Sequence, residues 1–455
     1  MTISAVSGIV ISSVDQYVVN TAMPRVLDQL GDPALYAWVA AAFILAQIVG
    51  LCIGGAWRDR SGLRVPFMVA VVIFGIGSLS CGFAPTMLTL VAARAFQGLG
   101  GGGIAAVCFA AAASYPEGLR LRMFSLISTA WGIVALVGPL LGGLITDLIG
   151  WRWIFFVNVP ICFAVVFLAI RGFAGAEPAD RTRRLPVIRA LLLACGAGCI
   201  VAAPSAGFPV ALPLLVLGAI VAFFYVRAEA RAQVPILPLA TWTGRGPVGS
   251  SLRCTLFFTA AYMGSSIFVP LYVQSVRGES ATLAGLVLTV GGISWTAGSI
   301  LGSQAQGPWP RRMLTIAATL ITVDGLFIAL QTGFLQLPLI LLFVAWGTAA
   351  LGMGMAMIHL QNWIIVFSPT NQTGTASGAS QCARMLGSAC GGALMGAILE
   401  GVGADQAHLA LAITAIFVLV AALGFSALTF ARPKGVERRG LEQQASIPKG
   451  IEAIA

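Results

Sequence analysis

Along the chain, runs of about twenty apolar residues alternate with short connections that carry nearly all the charges. About 30 Å of bilayer hydrocarbon needs about 20 residues of helix, so such a run is the unit of a membrane crossing. The runs fall at 4–24, 35–56, 66–84, 87–112, 123–146, 152–171, 187–204, 207–226, 251–276, 283–303, 312–332, 336–358, 377–400 and 407–431. They predict an all-α polytopic membrane protein of fourteen transmembrane helices. The first run lacks a charged leader and an A-x-A-like cleavage site, so it reads as a retained helix rather than a signal peptide.

Composition removes the soluble alternatives. Only 9% of the 455 residues are charged, 58% are hydrophobic and 54 are glycine. A soluble domain carries about 25% charged residues and could not cover so much apolar surface. The net charge of +10 would suggest nucleic acid in a soluble chain, but here it concerns orientation. Of the 26 Lys and Arg, only Arg25, Arg152 and Arg277 fall in loops after odd-numbered helices, and only Arg94 and Arg384 fall inside helices. The rest lie in loops after even-numbered helices or in the C-terminal tail. Positive residues stay on the cytoplasmic side, so both termini are predicted to be cytoplasmic. The nine cysteines lie within or beside apolar runs and read as small packing residues. His359 and His408, far apart in sequence, make neither a metal set nor the cluster a membrane-embedded enzyme would need. No enzyme activity, metal or cofactor is expected.

A repeat divides the chain. Gly55–Arg64 after helix 2 returns weakly as Gly302–Arg311 after helix 10, and Gly138–Gly143 in helix 5 returns as Gly387–Gly392 in helix 13, at nearly one offset. The predicted organisation is two six-helix halves, 1–172 and 251–432. A linker, 173–250, carries two inserted helices at about 187–204 and 207–226, and a cytoplasmic tail, 433–455, follows. Parallel halves of this kind belong to rocking transporters.

A few charges remain that orientation does not explain. Asp15 lies in apolar helix 1, where an ionised carboxylate is costly unless it faces a cavity or a partner. It reads either as a protonation site or as a structural partner of an arginine. Arg94, Gln97, Gly98, Gly101 and Gly102 share one face of helix 4. The glycines serve close helix packing, while Arg94 needs an acidic or carbonyl partner, for which Asp15 is the candidate. In the 55–64 loop, glycines suit a tight reversal, and Asp59 stands acidic among Arg58, Arg60 and Arg64, as in a cytoplasmic latch. Asp324 in helix 11 and Arg384 in helix 13 either pair with each other or line a cavity, as Asn20 and Gln97 also would. Trp131, Trp295, Phe257, Phe258, Tyr262 and Trp363 can stack on a substrate, although membrane-helix aromatics more often pack or anchor.

On these residues the chain resembles the major facilitator superfamily and, within it, the fourteen-helix drug:H+ antiporters. The resemblance runs through Asp15–Pro24, Gly55–Arg64, Arg94–Gly98, Gly138–Gly143, Trp151–Pro160 and Glu229–Pro238. It implies proton coupling through Asp15 and Arg94, and cytoplasmic gating through Gly55, Asp59, Arg60, Gly62 and Arg64. It implies an exporter-type kink and close packing at Gly138, Pro139, Gly142 and Gly143. The chain departs from the pattern at Val134, where a glycine is usual, and in the second-half loop, which lacks an acid. Few acids besides Asp324 are available to the second-half cavity, which argues against strongly polycationic substrates.

The expectation is therefore a monomeric, multi-pass protein of the inner (plasma) membrane. It would export lipophilic or amphipathic small molecules, drugs and antibiotics among them, in exchange for protons. The same fold carrying one metabolite, such as an amino acid, sugar or siderophore, is the alternative.

Overall fold

In the computed structural model the described residues are 2–113, 117–173, 185–203, 207–232, 246–305, 308–331, 338–367, 373–402 and 406–430. The tail 433–455 lies outside them. The first half holds α1 (Thr2–Leu30), α2 (Tyr36–Ser61), α3 (Arg64–Gly82), α4 (Met87–Ala113), α5 (Glu117–Leu148) and α6 (Arg152–Gly172). Then come α7 (Val187–Ala202) and α8 (Gly207–Ala230). The second half begins with α9 (Pro247–Ser265), continued by a turn at Phe268–Leu271 and a π-helical turn at Tyr272–Val276. It ends with α10 (Ala281–Ser303), α11 (Trp309–Leu330), α12 (Ile340–Val366), α13 (Thr373–Val402) and α14 (Gln406–Phe430).

Among the described residues twelve helices are long and apolar enough to cross a membrane. The two of the expected fourteen that fall short are α7, with 16 residues, and α5, whose described apolar stretch is Gly132–Leu148. The apolar surface points the same way. Phe163, Phe167, Phe223 and Phe425 stand out from the helices at 60% exposure or more, an arrangement that only lipid makes favourable. The chain is a multi-pass membrane protein.

The helical contacts place the interior. Within the first half α4 packs on α2 and α3, and α6 on α3 and α1; α10 packs on α12 and α9 on α13 in the second. The halves meet along two seams, α5 against α10 and α2 against α13. Over the second seam lies α7, whose Ala197 and Val201 join Ala41 and Leu45 of α2 and Ala389 and Ala393 of α13 in one apolar cluster. The outer neighbour α8 rests on α7 and turns Leu212, Val216, Phe223 and Phe224 outward.

The 55–64 segment is not an open loop. It is the last turns of α2, which runs to Ser61, followed by Gly62 and Leu63 before α3. Gly62 makes the reversal at φ 79°, ψ −173°, a conformation open essentially only to glycine. Its N–H closes on the Arg58 carbonyl at 2.8 Å.

Candidate buried proton site and the seams around it

Residue 15 sits midway along α1 and turns into the first half, toward α3, α4 and α6. Its carboxylate is fully buried, and so, nearly, is Arg94. Arg94 Nη1 donates to Asp15 Oδ2, and Gln97 Nε2 donates to Asp15 Oδ1 at 2.8 Å. A third donor, Asn158 Nδ2 of α6, reaches the same Oδ1 at 3.0 Å. Arg94 Nη1 also donates to Gln97 Oε1 at 2.6 Å, and Asn158 Nδ2 to Ser78 Oγ at 3.1 Å. Ser78 in turn donates to the Phe155 carbonyl at 2.9 Å. The guanidinium lies 4.1 Å from the centroid of the Phe43 ring, a cation–π contact strengthened by the lack of water.

Why the chain can assemble this follows from its glycines. A Cβ on Gly98 would strike the Phe43 carbonyl, and one on Gly102 the Gln47 carbonyl. Their absence lets α4 ride on the backbone of α2, which brings Phe43 and the Val39 carbonyl, 3.5 Å from Arg94 Nε, up to the guanidinium. The i, i+3 spacing then sets Gln97 beside Arg94 on the same face.

Chemically, the arrangement is a neutral buried ion pair with three donors on one carboxylate. Removing one partner of such a pair typically costs about 3–5 kcal/mol, because the other charge is left uncompensated. Neutralising Asp15 would likewise leave the Arg94 charge uncompensated. Among the described residues no group of three or more His, Cys, Asp or Glu is placed to hold an ion.

The structure pairs Asp15 with Arg94, its candidate partner from the sequence, and adds Gln97 from the same face of α4; Asn158, Ser78 and Phe43 carried no role in the sequence reading. An asparagine inside the apolar run of α6 was the available signal. The other candidates lie elsewhere. Asn20 Nδ2 donates to Ser266 Oγ at 3.2 Å, across to the second half. Asp324 accepts from Thr348 Oγ1 at 2.8 Å, between α11 and α12, and does not pair with Arg384. Arg384, on α13, faces the first half within electrostatic range of Tyr17. Arg58 Nη1 meets Asp59 Oδ1 at 2.8 Å, while Arg60 and Arg64 are exposed.

The helix-5 residues stand at the seam between halves. A Cβ on Gly138 would come 3.0 Å from Tyr17 Cβ, and one on Gly142 would reach the Val18 carbonyl at 2.7 Å, both on α1. One on Gly143 would reach the Ala281 carbonyl at 2.6 Å, and the Pro139 carbonyl lies against Gly285, both contacts with α10. One turn further, Asp147 accepts from Thr282 N at 2.8 Å, Thr282 Oγ1 at 2.6 Å and Ala281 N at 3.3 Å. A carboxylate there complements the positive end of α10. Tyr36 Oη donates to the Ile267 carbonyl at 2.9 Å and Gln274 Nε2 to the Thr21 carbonyl at 2.9 Å. These bonds join the halves at the end of the molecule opposite Asp59.

Comparison with known proteins agrees with the geometry. The sequence profile described as Major Facilitator Superfamily matches residues 5–392. Multidrug resistance protein 3 of Bacillus subtilis is 30% identical over 332 residues, covering 71% of this chain and 64% of that protein, just under two thirds of its length. Multidrug transporter protein MdtP of Bacillus subtilis is 28% identical, covering 87% and 75% respectively. Among solved structures, the crystal structure of a D-xylose-proton symporter superposes with a TM-score of 0.66 at 14% identity, covering 95% of this chain and 98% of that one. The inward open conformation of the xylose transporter XylE from E. coli does so at 0.63 and 15%, covering 97% and 98%. At such identity the likeness is one of fold.

Proposed function

The chain belongs to the Major Facilitator Superfamily of membrane transporters, and from that premise we propose that it is a proton-coupled exporter of lipophilic or amphipathic small molecules. It works by alternating access in the inner membrane, as a monomer with fourteen crossings and both termini cytoplasmic. The observation that carries the proposal is the buried Asp15–Arg94 pair with its Gln97 and Asn158 donors. The carboxylate lies inside the first half with three donors, so its charge decides what holds α1 to α4 and α6.

In this reading, substrate enters from the cytoplasm or inner leaflet while the Asp147 end is held shut. A proton on Asp15 removes its charge, leaves Arg94 facing Phe43 and Phe155, and loosens α1 against α4 and α6. Because α1 also touches α5 and α10, and α4 packs on α2, the change reaches both seams. The Arg58–Asp59 turn closes the opposite end when the halves rock. The multidrug names of the Bacillus relatives support drug-like cargo.

The test is Asp15→Asn in proteoliposomes, a change that keeps the shape of the acceptor and removes its proton chemistry. ΔpH-driven uptake into inside-out vesicles should fall to background while substrate exchange at equal pH persists. Undiminished driven transport would remove Asp15 from the coupling step.

A further inference from the structure

The two seams between the halves are built differently. Along α5–α10 the outward faces are bare: Leu126, Ile133 and Leu141 of α5 and Ile293, Ile300 and Leu301 of α10 are each at least 43% exposed. The outer end of this seam is held by the hydrogen bonds that Asp147 accepts. Further along it the approach is looser, and a Cβ on Gly132 would lie 3.8 Å from Thr296 Oγ1. Hydrogen bonds at a membrane surface are readily exchanged for water, and bare apolar faces for lipid. This edge can open at low cost.

The α2–α13 seam is covered. Among the described residues α2 turns no large apolar side chain outward, and α13 turns out only Leu394. The cover is the inserted hairpin. Ala197 and Val201 of α7 close one apolar cluster with both helices. Toward the Asp59 end, Tyr225 of α8 joins Ile48 of α2 and Ala379, Cys382 and Ala383 of α13 in a second, with Leu192 of α7 against it. Beneath the cover the helices touch along their length. A Cβ on Gly396 would strike Ala37 at one end, and Cys52 and Cys382 are hydrogen-bonding neighbours at the other. Ala37 to Cys52 is about 22 Å of helix. The hairpin is itself pinned: Arg189 Nη1 of α7 meets the buried carboxylate of Glu229 of α8 at 3.0 Å.

We propose that the α7–α8 hairpin is a brace that makes α2–α13 the fixed spine of the molecule, so that the halves part at α5–α10 like the covers of a book. Opening the spine would tear α7 from one half or the other, because it packs on α2 and α13 together. Opening the edge breaks no contact of the hairpin. The hinge rests on the transporter reading only in taking the halves to move, and it needs neither proton coupling nor a particular cargo.

The test is distance measurement between paired spin labels in lipid nanodiscs, on the full chain with its native cysteines replaced. Leu126→Cys with Ile300→Cys reports the edge. Ile53→Cys with Gln381→Cys, one position from the Cys52–Cys382 contact on each helix, reports the spine. Distances are compared at about pH 5.5 and about pH 8, and in the Asp147→Ala background. The edge distribution should shift or broaden by at least about 5 Å, and the spine should stay within about 2 Å. Both pairs widening alike, both staying fixed, or the spine moving more than the edge overturns the hinge. Ala197→Phe, which wedges α7 off the seam, should let the spine broaden as well. A spine unchanged in a variant that still melts cooperatively removes the hairpin as the brace. If Ala197→Phe does not melt cooperatively, Glu229→Gln, which weakens the Arg189 pair at constant shape, is read the same way. The Asp15→Asn transport assay is scored separately. Undiminished driven transport there with a fixed spine and a moving edge sinks proton coupling and spares the hinge, whereas abolished driven transport with both seams widening alike does the reverse.

Discussion

Asn158 reaches two acceptors with one amide, and both belong to the proposed proton site: Asp15 Oδ1 and Ser78 Oγ. Its replacement by leucine keeps the branched shape in carbon and leaves a buried carboxylate one donor short. Loss of a buried hydrogen bond to a charged group costs about 1.5–3 kcal/mol. Asn158→Leu should therefore melt several degrees below the parent protein in detergent and should also lose proton-driven transport. Equal melting temperatures and equal driven transport would show that the amide is a bystander. Residue 158 also marks where the sequence stops being informative. Asp15, Arg94 and Gln97 announce themselves as polar groups in apolar helices, and the common face of Arg94 and Gln97 follows from helical spacing. Which of several intramembrane amides turns toward Asp15 depends on how α6 is rotated against α3, and that is decided by packing contacts made with residues far along the chain. Asp324 and Arg384 show the same limit. Each is legible as an intramembrane charge, yet Asp324 takes a threonine on the neighbouring helix rather than the arginine.

At the scale of one element, the end of α2 separates glycines that look alike in sequence. Nothing lies within 4 Å of a Cβ built on Gly55, and it sits in a regular helix. Gly62 occupies a conformation other residues resist. Gly55→Ala should leave stability unchanged or raise it by about 0.5–1 kcal/mol, the usual helix-interior difference. Gly62→Ala should lower it by about 1–3 kcal/mol through backbone strain. Chemical or thermal unfolding of the two variants side by side checks the contrast, and a Gly55→Ala protein less stable than Gly62→Ala would refute it. Helix positions were largely readable from apolar runs, whereas helix ends were not. The run ends at Pro24, but α1 continues through Arg25, Asp28 and Gln29 to Leu30, because a helix at a membrane surface continues in polar residues that a hydropathy pattern ignores. The break of α9 into three segments between Ser265 and Val276 was likewise hidden in a uniform apolar stretch.

Over the whole molecule, the bonds between halves gather at one end. Asp147, Asn20, Tyr36 and Gln274 all reach across there. Removing the Asp147 carboxylate takes away the acceptor of three of these contacts and should let the halves part more often at that end. In Asp147→Ala, a cysteine placed at Ser266 should react with a membrane-impermeant maleimide added from the Asp147 side at least about threefold faster than in the parent background. Unchanged labelling would mean that the helix-5 glycine packing alone holds the seal. The repeat suggested that halves existed, but no sequence pattern told which residues would face each other across them. Asp147 and Thr282 are 135 positions apart, and neither stands out from its neighbours.

The seal has a pharmacological consequence. A blocker that competes for the space between the halves finds the Asp147 side barred by backbone-anchored bonds and by glycines packed too closely to admit a methyl group. Under the orientation proposed here, such a compound has to cross the bilayer and approach from within, so its permeability would limit its potency as much as its affinity. An antibody fragment faces the opposite situation. Clasped over the Asp147–Thr282 junction, it never needs to reach the cavity, since holding that junction closed would be enough to stop the cycle.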